Sequence, residues 1–169
     1  MTSAIRATAV AIVFALGGRG SSSEPMREPM RFDPFDARSP AALRAAHAGK
    51  AFALVFWSPS CEPCRDELPL WASLARRHPG LPIHLVMLPL AEGDEEEARP
   101  VLAKLAASGV RTALATGDVP ERIFHAVDPG WRGELPAAFL FDSAHLVERR
   151  LGRVDASWVE AWAGAQDGR

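Results

Sequence analysis

The sequence has few cysteines: two occur in 169 residues, three positions apart, at Cys61 and Cys64. A secreted scaffold held by disulfides needs more cysteines, spread along the chain. A bridge that closes so short a loop removes little entropy from the unfolded chain, so it adds little stability. The pair is therefore better explained by chemistry than by structural cross-linking.

The chain also lacks a strong charge of either sign. Its formal net charge is −2, and nothing in it resembles the strongly basic face of a nucleic-acid-binding protein. Apolar residues make up 48% of the sequence, and a chain of this length can bury a substantial core without disulfides. We expect a soluble domain with no nucleic-acid partner.

A long apolar run is missing too, but a short one stands near the start. Arg6 precedes apolar residues 7–16, and Gly17 and Gly18 follow them. This order is typical of a signal peptide, and the run is shorter than the roughly 20 residues of a membrane span. No good small-x-small cleavage site follows, so a retained anchor and a frayed helix stay open. Residues 1–20 are predicted to be a signal peptide or N-terminal anchor, with a periplasmic or otherwise extracytoplasmic location.

Residues 21–40 are predicted to be a linker. They are rich in serine, proline, arginine and glutamate and contain few large apolar residues. Such a composition buries little surface. Ser39 as N-cap and Pro40 at the first helical position then predict a short helix over 41–47. The folded domain is expected over 41–169.

Apolar runs and helical spacing alternate through this domain. Continuous apolar runs predict buried strands over 51–57 and 83–88. An acidic run over 92–97 is interpreted as the solvated start of a helix, where negative charge is favourable. The remaining predictions are strands over 112–116, 137–142 and 146–154, and helices over 61–77, 120–126 and 156–165. This order implies a mixed sheet with helices on both faces.

The cysteine pair stands between a buried strand and the start of a helix. Unpaired N–H groups and the positive dipole end of a helix stabilise a thiolate there. Cys61, at the very start, is the expected attacking thiol, and Cys64, one turn inside, can resolve a mixed disulfide on it. Half of a zinc site, completed by scattered histidines, and two incidental buried cysteines remain alternatives.

The segment 56–69, Phe-Trp-Ser-Pro-Ser-Cys-Glu-Pro-Cys-Arg-Asp-Glu-Leu-Pro, resembles the active site of thioredoxin-like proteins. More narrowly, it resembles the exported TlpA/ResA-like thiol–disulfide oxidoreductases. The segment 133–142 is similar to that family's loop and strand with a cis-proline. The resemblance covers residues 41–165. It implies a thioredoxin-like α/β fold: a central mixed sheet flanked by helices on both faces, with a helical insertion between the second and third core strands.

The resemblance also implies roles for single residues. Pro136 would be cis and lie beside the disulfide, and the Leu135 backbone would pair with an extended substrate segment. Glu67 would assist proton transfer to the cysteines. The expected substrate contacts are Trp57, Glu62, Pro63, Trp131, Leu135 and Pro136. A solvent-facing Glu67, a simple strand-entry Pro136 and a merely packed Trp131 remain open.

Two positions depart from relatives of this kind. Val55 stands where cytoplasmic thioredoxins carry a buried acid, which leaves Glu67 as the obvious acid at the site. Ser60 stands where many relatives have an aromatic residue before the first cysteine.

The resemblance implies a monomeric reductase of disulfides in exported proteins such as apocytochrome c, acting in cytochrome c maturation. A membrane thiol-reductant donor would restore its dithiol. No metal and no cofactor is expected beyond the redox-active Cys61–Cys64 disulfide. The alternatives are a redoxin-type thiol peroxidase and a copper-carrying thioredoxin-fold module, in which His125 or His145 would join the thiolates.

Overall fold

The computed structural model describes residues 32–117 and 119–166. Strands and helices alternate along this part of the chain. In order they are β1 (Asp33–Phe35), α1 (Ser39–Ala46), β2 (Phe52–Trp57), α2 (Glu62–Arg77), β3 (Ile83–Met87), α3 (Asp94–Ala106), β4 (Arg111–Ala115), α4 (Pro120–Val127), β5 (Ala137–Phe141), β6 (Val147–Leu151) and α5 (Ala156–Gln166).

The strands form one mixed sheet in the order β1-β4-β3-β2-β5-β6. The first four in this order run parallel to one another, whereas β5 is antiparallel to β2 and β6 is antiparallel to β5. The side chains of β2 and β3 are buried along the whole of each strand, as their continuous apolar runs predict. The predicted mixed sheet is confirmed.

Successive side chains of β2 enter two different cores, because strand residues alternate between the faces of a sheet. Val55 and Trp57 pack with residues of α2, α3 and α5 on one face. Leu54 and Phe56 pack with residues of α4 on the other. Helices therefore cover both faces, as expected, and α3 occupies the predicted place between the second and third predicted strands.

The fold begins earlier than the sequence indicates. A linker is predicted over 21–40, but a strand already occupies 33–35 and the first helix begins at Ser39. Strand β1 pairs with β4 and buries Phe35, which is 3% exposed. The N-cap residue of α1 is Arg38 rather than the predicted Ser39, and Asp36 accepts backbone hydrogen bonds from Arg38 and Ser39 at 2.9 and 3.1 Å. The linker prediction is wrong for 33–40. Strand β1 buries only one of its three side chains, so its residues do not show the apolar pattern that predicts a strand.

The predicted signal peptide or anchor, 1–20, and the predicted linker up to residue 31 lie outside the described residues. Within the described ranges, no helix combines the length and the apolar character required to cross a membrane.

Two buried histidines meet near the amino-terminal ends of β2 and β3. His47 follows α1 and His84 lies in β3; they are 8% and 9% exposed, and their Nε2 atoms are 2.9 Å apart. One ring must donate and the other accept, so the contact needs a neutral acceptor ring. Burial, then the charges of His47 and Arg111, lowers the pKa of His84 to about 4.

His84 should therefore destabilise the fold as the pH falls below about 6.5, the usual pKa of histidine in an unfolded chain. Between that pH and about 4 the unfolded chain binds a proton that the folded protein excludes. The stability is fully present above pH 6.5, and about 2 to 3 kcal/mol is lost on acidification. Urea unfolding at pH 7 and 4.5 should show a smaller loss in His84→Asn, while the exposed-site control His125→Asn follows the wild type. Equal losses in all three proteins would contradict this.

Candidate functional site

Strand β2 leads the chain directly to the cysteine pair. It ends at Trp57, and a turn over 58–60 leads into α2, with Cys61 as the N-cap residue. The Cys61 N–H donates to the Ser58 carbonyl at 3.1 Å and closes this turn. Cys61 and Cys64 form a disulfide. The predicted position of the pair, after a buried strand and at a helix start, is confirmed.

The two sulfurs differ in their surroundings. Cys61 is half-buried, whereas Cys64 is 1% exposed. The Cys64 N–H points at the Cys61 Sγ at 3.3 Å, and it is one of the N–H groups that a helix start leaves without a helical partner. In the reduced protein this N–H and the helix dipole favour a thiolate on Cys61. The geometry suits Cys61 for attack and Cys64 for resolution.

The Leu135–Pro136 peptide bond is cis, as the resemblance implies. Strand β5 begins directly after it and pairs with β2, so that Ala137 lies opposite Phe56. Pro136 therefore lies at the edge of the sheet from which β2 leads to the disulfide. Leu135 is half-buried between the two cores. The Leu135 backbone and the disulfide thus share one edge of the sheet.

The loop before Pro136 is held from inside the core. The Trp131 indole N–H donates to the Glu134 carbonyl at 3.0 Å. Gly133 has a φ of +98°, and a Cβ on it would lie 2.5 Å from the ring of Phe124. This position accepts glycine because both the backbone conformation and the space exclude a side chain.

Three of the predicted substrate contacts, Trp57, Trp131 and Pro136, have buried side chains. Trp57 and Trp131 are each 1% exposed, and the Trp131 ring lies 4.6 Å from that of Phe56. The Trp131 side chain is thus packed in the core, which is the alternative that the sequence leaves open for it. Glu62, exposed, and Pro63, half-buried, lie between the cysteines and are accessible to a partner.

Glu67 lies on α2 three residues after Cys64, a spacing that puts both on one face of the helix. It is 7% exposed, so the solvent-facing alternative is excluded. Its Oε1 accepts a hydrogen bond from the Val154 N–H at 2.7 Å. Burial raises the pKa of Glu67, although the Val154 bond and the Arg153 charge act in the opposite direction. A buried carboxyl with a raised pKa can exchange protons with a neighbouring thiol.

One residue at this edge was missed by the sequence analysis. Asp94 belongs to the acidic run interpreted as a solvated face, but it is 4% exposed. It accepts hydrogen bonds from the hydroxyls of Ser58 and Ser60 in the turn before Cys61. Burial alone would raise the pKa of Asp94, but these bonds and two backbone bonds hold it below its usual range. Ser58 and Ser60, two hydroxyl donors just before Cys61, indicate that an acceptor could lie nearby. The sequence does not show which acid of the run accepts their hydrogen bonds.

The histidines named for a copper site lie elsewhere. His145 follows β5, whose last residue Phe141 pairs with Phe52 at the start of β2, whereas the disulfide follows the end of β2. His125 lies on α4, across the sheet from α2. Over 32–117 and 119–166, no cluster of three or more histidine, cysteine or acidic side chains could hold a metal ion.

No model of a known protein family and no curated protein matches this chain, but solved structures do. A secreted disulfide oxidoreductase of Mycobacterium tuberculosis, described as homologous to E. coli DsbE, has a TM-score of 0.55 and 17% identity, over 72% of this chain and 85% of that one. A thioredoxin-family thiol:disulfide interchange protein of Chlorobium tepidum has a TM-score of 0.54 and 19% identity, over 73% and 83%. StoA of Bacillus subtilis has a TM-score of 0.52 and 21% identity, over 68% and 83%.

These similarities show the fold. The chain has a thioredoxin-like fold, as the resemblance of its sequence implies, and a Cys-x-x-Cys disulfide lies at the start of α2.

Replacing Glu67 with glutamine should raise the thiolate fraction of Cys64 in the reduced protein at pH 8, by about threefold, because a like charge on the same helix face is removed. Glutamine keeps an oxygen for the Val154 N–H. The matched control is Asp66→Asn, whose carboxylate is 53% exposed and pairs with Arg153; it should change little. Thiolate absorbance on a Cys61→Ser background makes the measurement. Equal Cys64 thiolate fractions in the two variants would show that Glu67 does not affect the ionisation of the cysteine.

Proposed function

We propose that this thioredoxin-fold protein is a thiol–disulfide oxidoreductase that works through Cys61 and Cys64. The observation that carries the proposal is the disulfide at the start of α2, with its outer sulfur half-buried and its inner sulfur 1% exposed. The cis peptide before Pro136, at the same edge of the sheet, supports it.

In the dithiol form, the Cys61 thiolate attacks one sulfur of a partner's disulfide. A bond forms between Cys61 and that sulfur, and the other partner sulfur leaves as a thiolate and takes up a proton. Cys64 then loses its proton and attacks the Cys61 sulfur, which releases the partner's second thiol and closes the Cys61–Cys64 disulfide. Two electrons pass from the protein to the partner, whose two sulfurs take up two protons; these balance the proton that Cys61 lost on forming its thiolate and the proton that Cys64 loses. A second dithiol, oxidised in turn, must restore the starting state.

Glu67 is proposed to accept the proton that Cys64 loses. Cys64 is too buried to pass it directly to water, being 1% exposed. Glu67 lies on the same face of α2, and burial raises its pKa. A higher pKa makes a carboxylate a better proton acceptor for a thiol.

The Leu135 backbone is proposed to bind the partner as an added strand. It directly precedes β5, at the end of the sheet from which β2 leads to the disulfide, and backbone pairing of this kind accepts many sequences. Glu62 and Pro63, accessible between the cysteines, are proposed as further contacts.

We infer that the protein works outside the cytoplasm as a monomeric reductase of exported proteins, apocytochrome c among them. The leader-like residues 1–20 support export, and the similar protein of M. tuberculosis is described as secreted. The electron donor would be a membrane thiol reductant, because the soluble cytoplasmic pool is out of reach there.

Each cysteine should have a distinct effect on exchange. Cys61→Ser should abolish reduction of a disulfide substrate such as insulin, by more than about 100-fold, because the attacking sulfur is lost. Cys64→Ser should retain attack but stall, so that a mixed disulfide through Cys61 accumulates. Non-reducing electrophoresis detects that adduct. The reverse pattern, with trapping in Cys61→Ser, would overturn the assigned roles, and insulin reduction unaffected by either change would overturn the proposed function.

The reduction potential tests the direction of exchange. Equilibration of the 32–169 fragment and of the full chain with glutathione or dithiothreitol buffers should give a reduction potential of about −270 mV, as in thioredoxin. A potential of about −120 mV would identify a disulfide-forming oxidant instead.

A further inference from the structure

The Asp94 carboxylate joins two turns through a single oxygen. Its Oδ2 accepts hydrogen bonds from Ser58 Oγ at 2.8 Å and Ser60 Oγ at 3.1 Å. The same oxygen accepts the backbone N–H groups of Leu90 and Ala91 at 2.9 and 3.0 Å. Two donors thus come from the turn between β2 and α2, and two from the turn between β3 and α3.

The sheet brings these turns together. β2 and β3 are parallel neighbours, with Trp57 opposite Met87, and the Leu88 N–H donates to the Trp57 carbonyl at 2.8 Å. Both strands therefore end at the same edge, and the chain leaves each of them toward a helix on the same face of the sheet. Asp94, at the start of α3, lies between the two exits.

The turn that Asp94 holds determines where the outer sulfur lies. Ser58 is fully buried, and its carbonyl accepts the Cys61 N–H at 3.1 Å. The Pro59 carbonyl accepts a hydrogen bond from the Arg65 guanidinium, which belongs to the first turns of α2. The residues from Ser58 to Cys61 are thus fixed on one side by Asp94 and on the other by α2.

A role confined to the start of α3 does not explain this arrangement. The backbone N–H groups of Leu90 and Ala91 already give the carboxylate two partners in its own turn. The serine hydroxyls add two more from a different segment, and they also contact each other at 3.0 Å. A charged acceptor forms stronger hydrogen bonds than a neutral one, so this contact can hold an otherwise irregular turn in one conformation.

We propose that Asp94 is a positioning residue for Cys61: through Ser58 and Ser60 it holds the turn that sets the attacking sulfur against the start of α2. The inference rests on the proposed function for its significance. The test of the inference is independent of that function, since the reactivity of the Cys61 thiol is measurable whether or not the protein reduces a partner.

The test removes the serine side of the contact and keeps the carboxylate. On a Cys64→Ser background Cys61 is the only thiol in the chain, so alkylation by iodoacetamide reports on it alone. Ser58→Ala with Ser60→Ala should slow alkylation at pH 7 by about tenfold, because two hydrogen bonds to a charged group are lost, and should move the pH midpoint of the reaction upward. The matched control is Ser108→Ala, whose hydroxyl bonds the Leu105 carbonyl at the other end of α3; it should match the unmutated background.

Two changes at Asp94 separate anchoring from charge. Asp94→Asn keeps an oxygen that can accept the same donors and should retain alkylation within about threefold, whereas Asp94→Ala should resemble the double serine variant. Circular dichroism confirms that each variant is folded, and the serine variants decide the matter if Asp94→Ala is not. Reactivity and midpoint unchanged in the double serine variant would overturn the proposal. So would Asp94→Asn and Asp94→Ala proteins that are both alkylated faster than the unmutated background, because the lost negative charge rather than the lost anchoring would then act on Cys61.

Failure of this inference differs from failure of the proposed function. If insulin reduction is absent in the wild-type protein but alkylation follows the expected pattern, the oxidoreductase proposal fails and Asp94 still positions Cys61. If insulin is reduced and alkylation is insensitive to the loss of both serines, the oxidoreductase proposal stands and Asp94 does not position Cys61.

Discussion

The pairing of β2 on both of its edges is the constraint on which the disulfide site depends. Parallel pairing with β3 and antiparallel pairing with β5 bring three separate segments to one edge of the sheet: the turn into Cys61, the turn that contains Asp94, and the cis peptide before Pro136. Parallel neighbours end at the same edge, whereas an antiparallel neighbour begins where β2 ends. The apolar run of β2 therefore holds the strand in the core and also fixes the positions of the groups around the disulfide.

Two buried acids at this site show how burial and hydrogen bonding compete. Glu67 and Asp94 are 7% and 4% exposed, and desolvation by itself would raise the pKa of each. Asp94 has four donors on one oxygen, and its pKa stays below the usual range. Glu67 accepts a backbone bond from Val154, and burial prevails. Asp94 is thus suited to hold structure as a permanent anion, and Glu67 to exchange a proton.

The sequence predicted most elements because their signals are local. Buried strands are continuous apolar runs, and the start of α2 follows a strand and a turn. Strand β1 was missed because only Phe35 among its three residues is buried. The sequence leaves open whether Trp131 lines the substrate groove or is merely packed; it fills the core beside Phe56, since a large aromatic ring is more favourably placed out of water.

The sequence by itself determined the order of strands and helices, the cysteine pair at the start of a helix and, by resemblance, the thioredoxin-like fold with a cis-proline. These features depend on neighbouring residues or on a motif of fixed spacing. Only the tertiary structure decided which acids are buried, which tryptophans are buried, and that Asp94 meets Ser58. Each of these depends on contacts between residues far apart in the chain: 36 positions separate Ser58 from Asp94, and 87 separate Glu67 from Val154. Hydropathy and spacing describe one segment at a time, whereas such contacts form only when the sheet has brought the segments together.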